Sequence, residues 1–340
     1  METRGRRSES KYLMALAATY LAFSTSAFAT EGHFDRTLPV TGPVEVNVRT
    51  GAGSLTVSAG GNSSVQVHAT IRAWRGLFSG EEAEKRVRYL EAHPPIEQHG
   101  NTITLGATTD PGLQHNISIS YKLVVPAATR LKSRTGSGDQ TIEGIDGPLD
   151  LSTGSGRLKA SNIGNSVQAS TGSGDIELDS VKGNIRASSG SGGIRAWGIA
   201  GSFRASTGSG DVTLEQTAVA DARVSSASGH VNLKNVRGLV HAKTASGSIS
   251  AEGGGQEPWH LETVSGSVTV RVPPGLGFDL QAHTVSGSVS ATQPLTLQGT
   301  ANHREITGKA GNGGFLLDVS TVSGNVHIDW VAPPQPPSAH

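Results

Sequence analysis

Cysteine is missing from all 340 positions. Its absence removes disulfides, thiol nucleophiles and thiolate metal sites together, so stability has to come from backbone pairing and an apolar interior. It also removes the cysteine on which a bacterial lipid anchor is built. An excess of either charge is missing too, with 28 Lys and Arg against 28 Asp and Glu. Setting aside residues 1–29 leaves 24 basic and 26 acidic side chains. That balance argues against nucleic acid as a partner, which calls for a strong positive field. Beyond residue 29 no apolar run is long enough to span a bilayer. No cofactor is expected, because no cofactor motif stands out.

The chain does contain one short phrase, written ten times. Thr135-Gly-Ser-Gly138 recurs with its last glycine at 156, 174, 192 (as Ser189-Gly-Ser-Gly192) and 210. It then softens to Ser226-Ala-Ser-Gly229, Thr244-Ala-Ser-Gly247, Thr263-Val-Ser-Gly266, Thr284-Val-Ser-Gly287 and Thr321-Val-Ser-Gly324. Successive final glycines lie 18, 18, 18, 18, 19, 18, 19, 21 and 37 residues apart. A fixed period of this length marks a stacked-repeat architecture.

With the last glycine of each phrase as position zero, apolar residues occupy columns seven and five before it, and two and four after it. Leu131, Leu149, Val167, Ile185 and Phe203 begin the first column; only Ser133 and Gln140 break the others. Polar residues alternate with them, the pattern of strands with one buried face. A second glycine nine residues on (Gly147, Gly183, Gly201, Gly238) marks another corner, where glycine accepts positive φ. Eighteen residues with two corners leave no room for a crossover helix. The fold class is therefore all-β, a single-chain β-solenoid of about 18-residue coils, each laid on the one before it at about 4.8 Å. Two sheets or three fit the pattern equally. Stacked hydroxyls of the phrase are expected to satisfy turn backbone, since no serine is singled out by a neighbouring His–Asp pair.

Four segments follow. Residues 1–29 are expected to be a secretory signal peptide: Arg4, Arg6, Arg7 and Lys11, an apolar core from Tyr12 to Phe23, and Ala27-Phe-Ala29 for cleavage. The protein is thus expected outside the cytoplasm, in the periplasm, at the cell surface or extracellular. Residues 30–129 hold an early coil at Thr50-Gly-Ala-Gly53, strands near 65–71, 102–105 and 117–125, and one short helix from Glu81 to Leu90. Ser79 is its expected N-cap and Pro94-Pro95 stop it. Ala83, Val87 and Leu90 share a face suited to covering the open end of the stack. Residues 130–330 are the main array, and 331–340 a disordered Pro-rich tail. The 37-residue gap before the last phrase fits a skipped coil or a projecting loop.

Tyr121-Lys-Leu-Val-Val-Pro126 leads into Leu131-Lys-Ser-Arg-Thr-Gly-Ser-Gly-Asp139, and the array ends in Gly311-Asn-Gly-Gly and Leu317-Asp-Val-Ser-Thr-Val-Ser-Gly324. Between about Val44 and Trp330 the chain resembles the bacterial putative-adhesin family of exported β-solenoids. The resemblance implies the fold and a surface role; it carries over no catalytic residue.

Two columns invite chemistry. One residue after the glycine stand Asp139, Arg157, Asp175, Gly193, Asp211 and His230. Acids on alternate coils lie about 9.6 Å apart, slightly beyond the spacing of inverting glycoside hydrolases, so a carbohydrate-active enzyme is one alternative. The stronger reading is turn chemistry. Six before the glycine stand Lys132, Asp150, Gln168, Arg186, Arg204, Arg223, His241 and His260. Like charges on adjacent rungs cost stability, a cost that a bound polyanion would offset. Arg186, Arg204, Arg223, His241 and His260 are accordingly the candidate ligand-binding residues of a non-enzymatic binding module, with an anionic envelope glycan or surface polymer as partner. His241 and His260 lack an evident third ligand, so no metal is expected. A structural envelope rod joined end to end is the remaining alternative.

Overall fold

A computed structural model describes residues 30–61, 63–73, 80–106, 117–292 and 294–331. The expected signal peptide, Ser79 and the tail beyond Val331 lie outside them. Two long sheets face each other, one of 14 strands and one of 15, so the cross-section has two sheets. From the Gly138 coil to the Gly266 coil each coil places one strand in each sheet and pairs in parallel register with the next; Leu149 meets Val167, Val167 meets Ile185 and Ile185 meets Phe203. The apolar columns form the interior: Leu131, Val167, Ile176, Phe203, Leu214, Trp259 and Leu317 are all buried. Among the described residues no helix is long and apolar enough to cross a membrane.

The corner glycines have a different reason from the expected one. Gly147, Gly183, Gly201 and Gly238, where positive φ is expected, do not have it, and neither do Gly156, Gly174, Gly192 and Gly210 of the phrase; among phrase glycines Gly247 (159°), Gly266 (152°), Gly287 (149°) and Gly324 (154°) do. A Cβ at Gly174 would instead collide with the carbonyl group of Gly156 on the neighbouring coil, and one at Gly192 with that of Gly174. Close approach of backbone to backbone, not dihedral freedom, demands glycine here. In the earlier coils positive φ falls instead six residues after the phrase, at Gly144 (73°), Asn162 (56°), Ser180 (56°), Gly198 (66°) and Asn235 (56°). Gly, Asn and Ser recurring in that column are the signal the sequence carried for this corner.

The corner changes one coil after the phrase softens, since Gly229 still donates to Ser226 Oγ at 2.8 Å. In Thr-Gly-Ser-Gly coils the final glycine N–H donates to the hydroxyl of its own coil, as Gly174 does to Thr171 Oγ1 at 3.0 Å. From Gly247 onward the strand runs on through the serine (Trp259–Ser265, Phe315–Ser323). The glycine N–H then donates across coils, Gly247 to the Ser265 carbonyl at 2.9 Å and Gly266 to that of Ser323 at 3.0 Å. In the extended corner the middle residue points to solvent, which is why Val264, Val322 and Val285 are exposed.

Coil order is sequential only in the middle. At the far end the strand order is Trp259–Ser265, Phe315–Ser323, Phe278–Ser286. The last coil of the sequence therefore sits between the two coils that precede it. The 37-residue gap is neither a skipped coil nor a bare loop. It holds a hairpin of Leu295–Asn302 and Glu305–Ala310, whose second strand pairs antiparallel with Phe278–Ser286, followed by the returning strand. Phe315 seats that return, packing between Trp259 (5.7 Å between ring centres) and Phe278 (6.0 Å).

The near end mirrors this. The early coil (Glu45–Thr50, Leu55–Ala59) lies between the Gly138 coil and an outer coil formed later in the chain by Thr102–Leu105 and Ile117–Val125. Antiparallel strands close it: Ile96–His99 in one sheet, then Ser64–Ala73 and Thr30–Pro39 in the other. Helix Gly80–Ala92 packs on those last two strands with Ala83, Val87 and Leu90 buried. Glu91 accepts the His33 backbone N–H at 2.9 Å. The helix lies on the antiparallel strands, with the expected apolar face turned toward them.

Besides Ser133 and Gln140, a polar residue breaks one further buried column. The Gly210 coil lacks the bulge residue of its neighbours, so Gln216 pairs with Ile199 and occupies the apolar column otherwise held by Ile163, Val181, Ile199 and Val236. Both side-chain polar atoms of Gln216 are buried without a partner. Tyr121 is buried likewise with its hydroxyl unpartnered, and burial pushes its pKa up.

Two stability measurements follow. Gly174→Val is expected to cost about 3 kcal/mol, since the clash is with backbone, whereas Val264→Ala at the extended corner should shift stability by under about 0.5 kcal/mol. Gln216→Leu is expected to raise stability by about 1–2 kcal/mol by removing an unpaired buried amide. Chemical denaturation of the three variants checks both; equal losses at 174 and 264 contradict the corner assignment.

Candidate functional site

The stack turns each column of the sequence into a row of side chains at a common height above the sheet. On the outer face of the 15-stranded sheet the register runs Lys132, Asp150, Gln168, Arg186, Arg204, Arg223, His241, His260 without a slip. Each strand alternates these with buried residues, so Arg186, Arg204 and His241 are exposed and Arg223 and His260 half-buried. The arginine row expected from the sequence is on adjacent rungs, about 4.8 Å apart.

Their pairing differs rung by rung. Lys132 Nζ lies 3.9 Å from Asp150 Oδ2, and Arg223 Nη1 donates to Asp221 Oδ2 at 3.1 Å. Arg186 and Arg204 have no carboxylate partner among the described residues. Two neighbouring unpaired guanidiniums therefore stand in the middle of the row. They line a groove of about 730 Å³ that runs from Glu45 to Arg223, across seven adjacent strands. Small and polar residues at the strand starts (Pro148, Ser166, Asn184, Ser202) form its wall. Ser202 Oγ donates to Asn184 Oδ1 at 2.9 Å, which holds the wall between coils.

The histidines fall outside that groove. His241 and His260 lie 6.4 Å apart between ring centres, in a separate recess of about 340 Å³ with Glu262 and Asp318. His260 Nδ1 is 3.2 Å from Asp318 Oδ2, and Lys243 is paired with Glu262 at 3.1 Å. Asp318 belongs to the returning last coil. No reading that stacked coils in sequence order could have placed it beside His260. Among the described residues no group of three or more His, Cys, Asp or Glu side chains could hold a metal ion.

The aspartate column has a structural task. Asp139 Oδ1 accepts the Arg157 backbone N–H at 2.7 Å, Asp175 Oδ1 that of Gly193 at 2.8 Å, and Asp211 Oδ1 that of His230 at 2.7 Å. The same column continues the pattern with other acceptors: His230 Nδ1 takes the Ser248 N–H, Ser248 Oγ that of Ser267, and Ser267 Oγ that of Asn325. Each side chain caps the strand start of the adjoining coil, a donor that would otherwise go unpaired. Arg157 answers Asp139 with its backbone; the acid of this column that gains a guanidinium is Asp175, from Arg195 at 3.4 Å.

The phrase hydroxyls are equally committed. Thr153 Oγ1 donates to the Gly138 carbonyl at 3.1 Å, Thr171 to Gly156 at 3.2 Å and Thr207 to Gly192 at 2.9 Å. They bond backbone between coils rather than one another.

Residues 164–329 match the family described as Toastrack DUF4097, a β-solenoid-like fold. No curated protein matches the chain. Among solved structures, a putative lipid binding protein from Parabacteroides distasonis aligns at 15% identity and a TM-score of 0.40, over 88% of this chain and 97% of its own. A putative adhesin from Bacteroides fragilis aligns at 12% and 0.29, over 88% and 97%. A putative cell adhesion protein from Clostridium sporogenes aligns at 12% and 0.20, over 89% and 100%.

Replacing Asp175 by Asn keeps an oxygen for the Gly193 N–H, so Asp175→Asn should leave the melting temperature within a degree or two. Asp211→Ala removes the cap altogether and should cost about 1 kcal/mol. A melt in which both variants lose equally would show that the charge matters, not the cap.

Proposed function

Taking the Toastrack repeat array as the premise, we propose that the protein is a non-enzymatic, exported binding module of the cell envelope or surface whose ligand is an acidic polymer. The observation that carries this is the pair Arg186 and Arg204, unpaired on adjacent rungs in the middle of a long groove. A groove crossing seven strands suits an extended chain better than a compact ligand. Guanidinium groups at a regular rise suit repeated anionic groups. Contacts of this kind are individually weak when exposed and gain from repetition along one polymer. Asp150 and Glu45 at one end and the Asp221–Arg223 pair at the other bound the cationic stretch.

The carbohydrate-cleaving alternative loses its support at the aspartate column, where Asp139, Asp175 and Asp211 each cap a backbone donor on an open corner. The end-to-end rod loses support because antiparallel strands close both sheets at the near end and the 15-stranded sheet at the far end.

The test is binding of polygalacturonate and of poly(glycerol phosphate) by the parent and by the triple variant Arg186→Gln, Arg204→Gln, Arg223→Gln. At least one polymer should bind the parent, and raising salt through the physiological range should weaken it steeply, since exposed contacts are screened over about 8 Å. In the triple variant binding should fall more than tenfold with no loss of melting temperature. Equal binding by the triple variant would reduce the row to a solvated face.

A further inference from the structure

The opposite sheet carries one side chain that its column does not explain. Five residues after the phrase glycine the outward column reads Glu143, Ser161, Asp179, Trp197, Glu215 and Lys234. Every member but one is hydrophilic. Trp197 is 38% exposed, whereas Trp259, Tyr121, Phe203 and Phe278 are buried in the interior. Among the described residues it is the one Phe, Tyr or Trp exposed on either sheet; Tyr89, also exposed, is on the helix and stacks on His93. An indole left facing water in a row where a charged side chain would serve costs apolar hydration and fills no part of the core.

Its surroundings are polar and mixed in sign. Asp179 is its register partner on one side. Arg195, two residues earlier on the same face, lies in register with Glu177 and Thr213. Glu215 follows on the next coil, where the bulge at Gly198 has no counterpart and the register slips by one. One rung further out stand Lys159, in register with Glu177, and Lys234, in register with Glu215. Across adjacent strands such neighbours are about 5–8 Å apart, within reach of one ligand. Four carboxylates (Asp175, Glu177, Asp179, Glu215) meet three cations (Arg195, Lys159, Lys234), so the patch is close to neutral.

We propose that Trp197 is the stacking platform of a second binding site, one that takes a neutral pyranose unit of a glycan. A pyranose ring has an apolar face of C–H groups and a rim of hydroxyls. The exposed indole matches the face, as amphipathic aromatic rings do where one side is apolar and the edge is wet. Glu177, Asp179 and Glu215 accept from the rim hydroxyls and Arg195 donates to the ring or bridging oxygens. Balanced charge around the indole selects an uncharged sugar, in contrast to the arginine groove. The site is on the other sheet from that groove, so it does not rest on the acidic-polymer reading. One rod would hold two different polymers, one on each face.

Calorimetric titration with cellohexaose, N-acetylchitohexaose and maltohexaose tests this in the full chain. At least one hexaose should bind the parent saturably and shift its tryptophan emission. Trp197→Ala should lose that binding by tenfold or more at an unchanged melting temperature, while Trp197→Phe should retain it within about threefold to fivefold. The triple arginine variant should bind the same hexaose as the parent does. Failure of all three sugars, or undiminished binding by Trp197→Ala, overturns the proposal; loss in the arginine variant alone assigns the sugar to the groove instead.

Discussion

The contact on which everything else depends is backbone against backbone at the phrase corner. There the carbonyl of one glycine lies where the next coil's glycine would otherwise carry a Cβ. That approach allows the coils to stack in unbroken register, and the register turns columns into rows. From Thr153 to Thr263 the phrase hydroxyls bond to the same carbonyl, and the side chains of Asp139, Asp175, Asp211, His230, Ser248 and Ser267 cap neighbouring strand starts. One close backbone approach and two polar devices thus meet at a single corner. Such a concentration is understandable in a chain without disulfides, where every corner is an edge of the hydrogen-bonded ladder and an unpaired donor costs as much as a lost bond.

Much of this was legible because the repeat is short and its alternation strict. The buried columns, the early coil at Gly53, the strands at 102–105 and 117–125 and the face of the helix follow from spacing alone. The candidate arginine row was legible in the same way, since equal offsets guarantee neighbouring rungs in any parallel stack. The physical reason for the corner glycines was not legible, because positive φ and close approach both leave glycine in the sequence. Asn162, Ser180 and Asn235 mark a strained corner in a column they share with Gly144 and Gly198. Coil order at the two ends could not be read either. Position in a stack depends on which edges are free when a strand arrives, and residue spacing holds no record of that. His260 beside Asp318 is the side-chain consequence.

Rows also explain why similar residues have different fates on the same rod. An aspartate at a corner meets an N–H and is used up. An arginine in mid-strand meets only another arginine at the same height, and its charge is left over. A column therefore becomes a candidate for binding where its members do not satisfy one another, and a piece of scaffold where they do. Arg186 and Arg204 belong to the first kind, Asp139 and Asp211 to the second, and Lys243 with Glu262 shows a mid-strand pair that has closed on itself.

The displaced coils at both ends have a consequence for how such a protein changes length. A rod stacked in simple order could gain or lose a unit at its tip with little disturbance. Here each tip is interlaced, the early coil held beneath one made later and the final coil held beneath one made earlier. Adding a unit outside either would leave the lace with the wrong partner. Only the stretch between the Gly138 and Gly247 coils is free of this, and there a duplicated or deleted segment of about one coil would shift the two ends apart or together while leaving both intact. The molecule is built like a ruler with fixed ends and a variable middle, and the near-perfect 18-residue spacing of that middle is where variation in length would be tolerated.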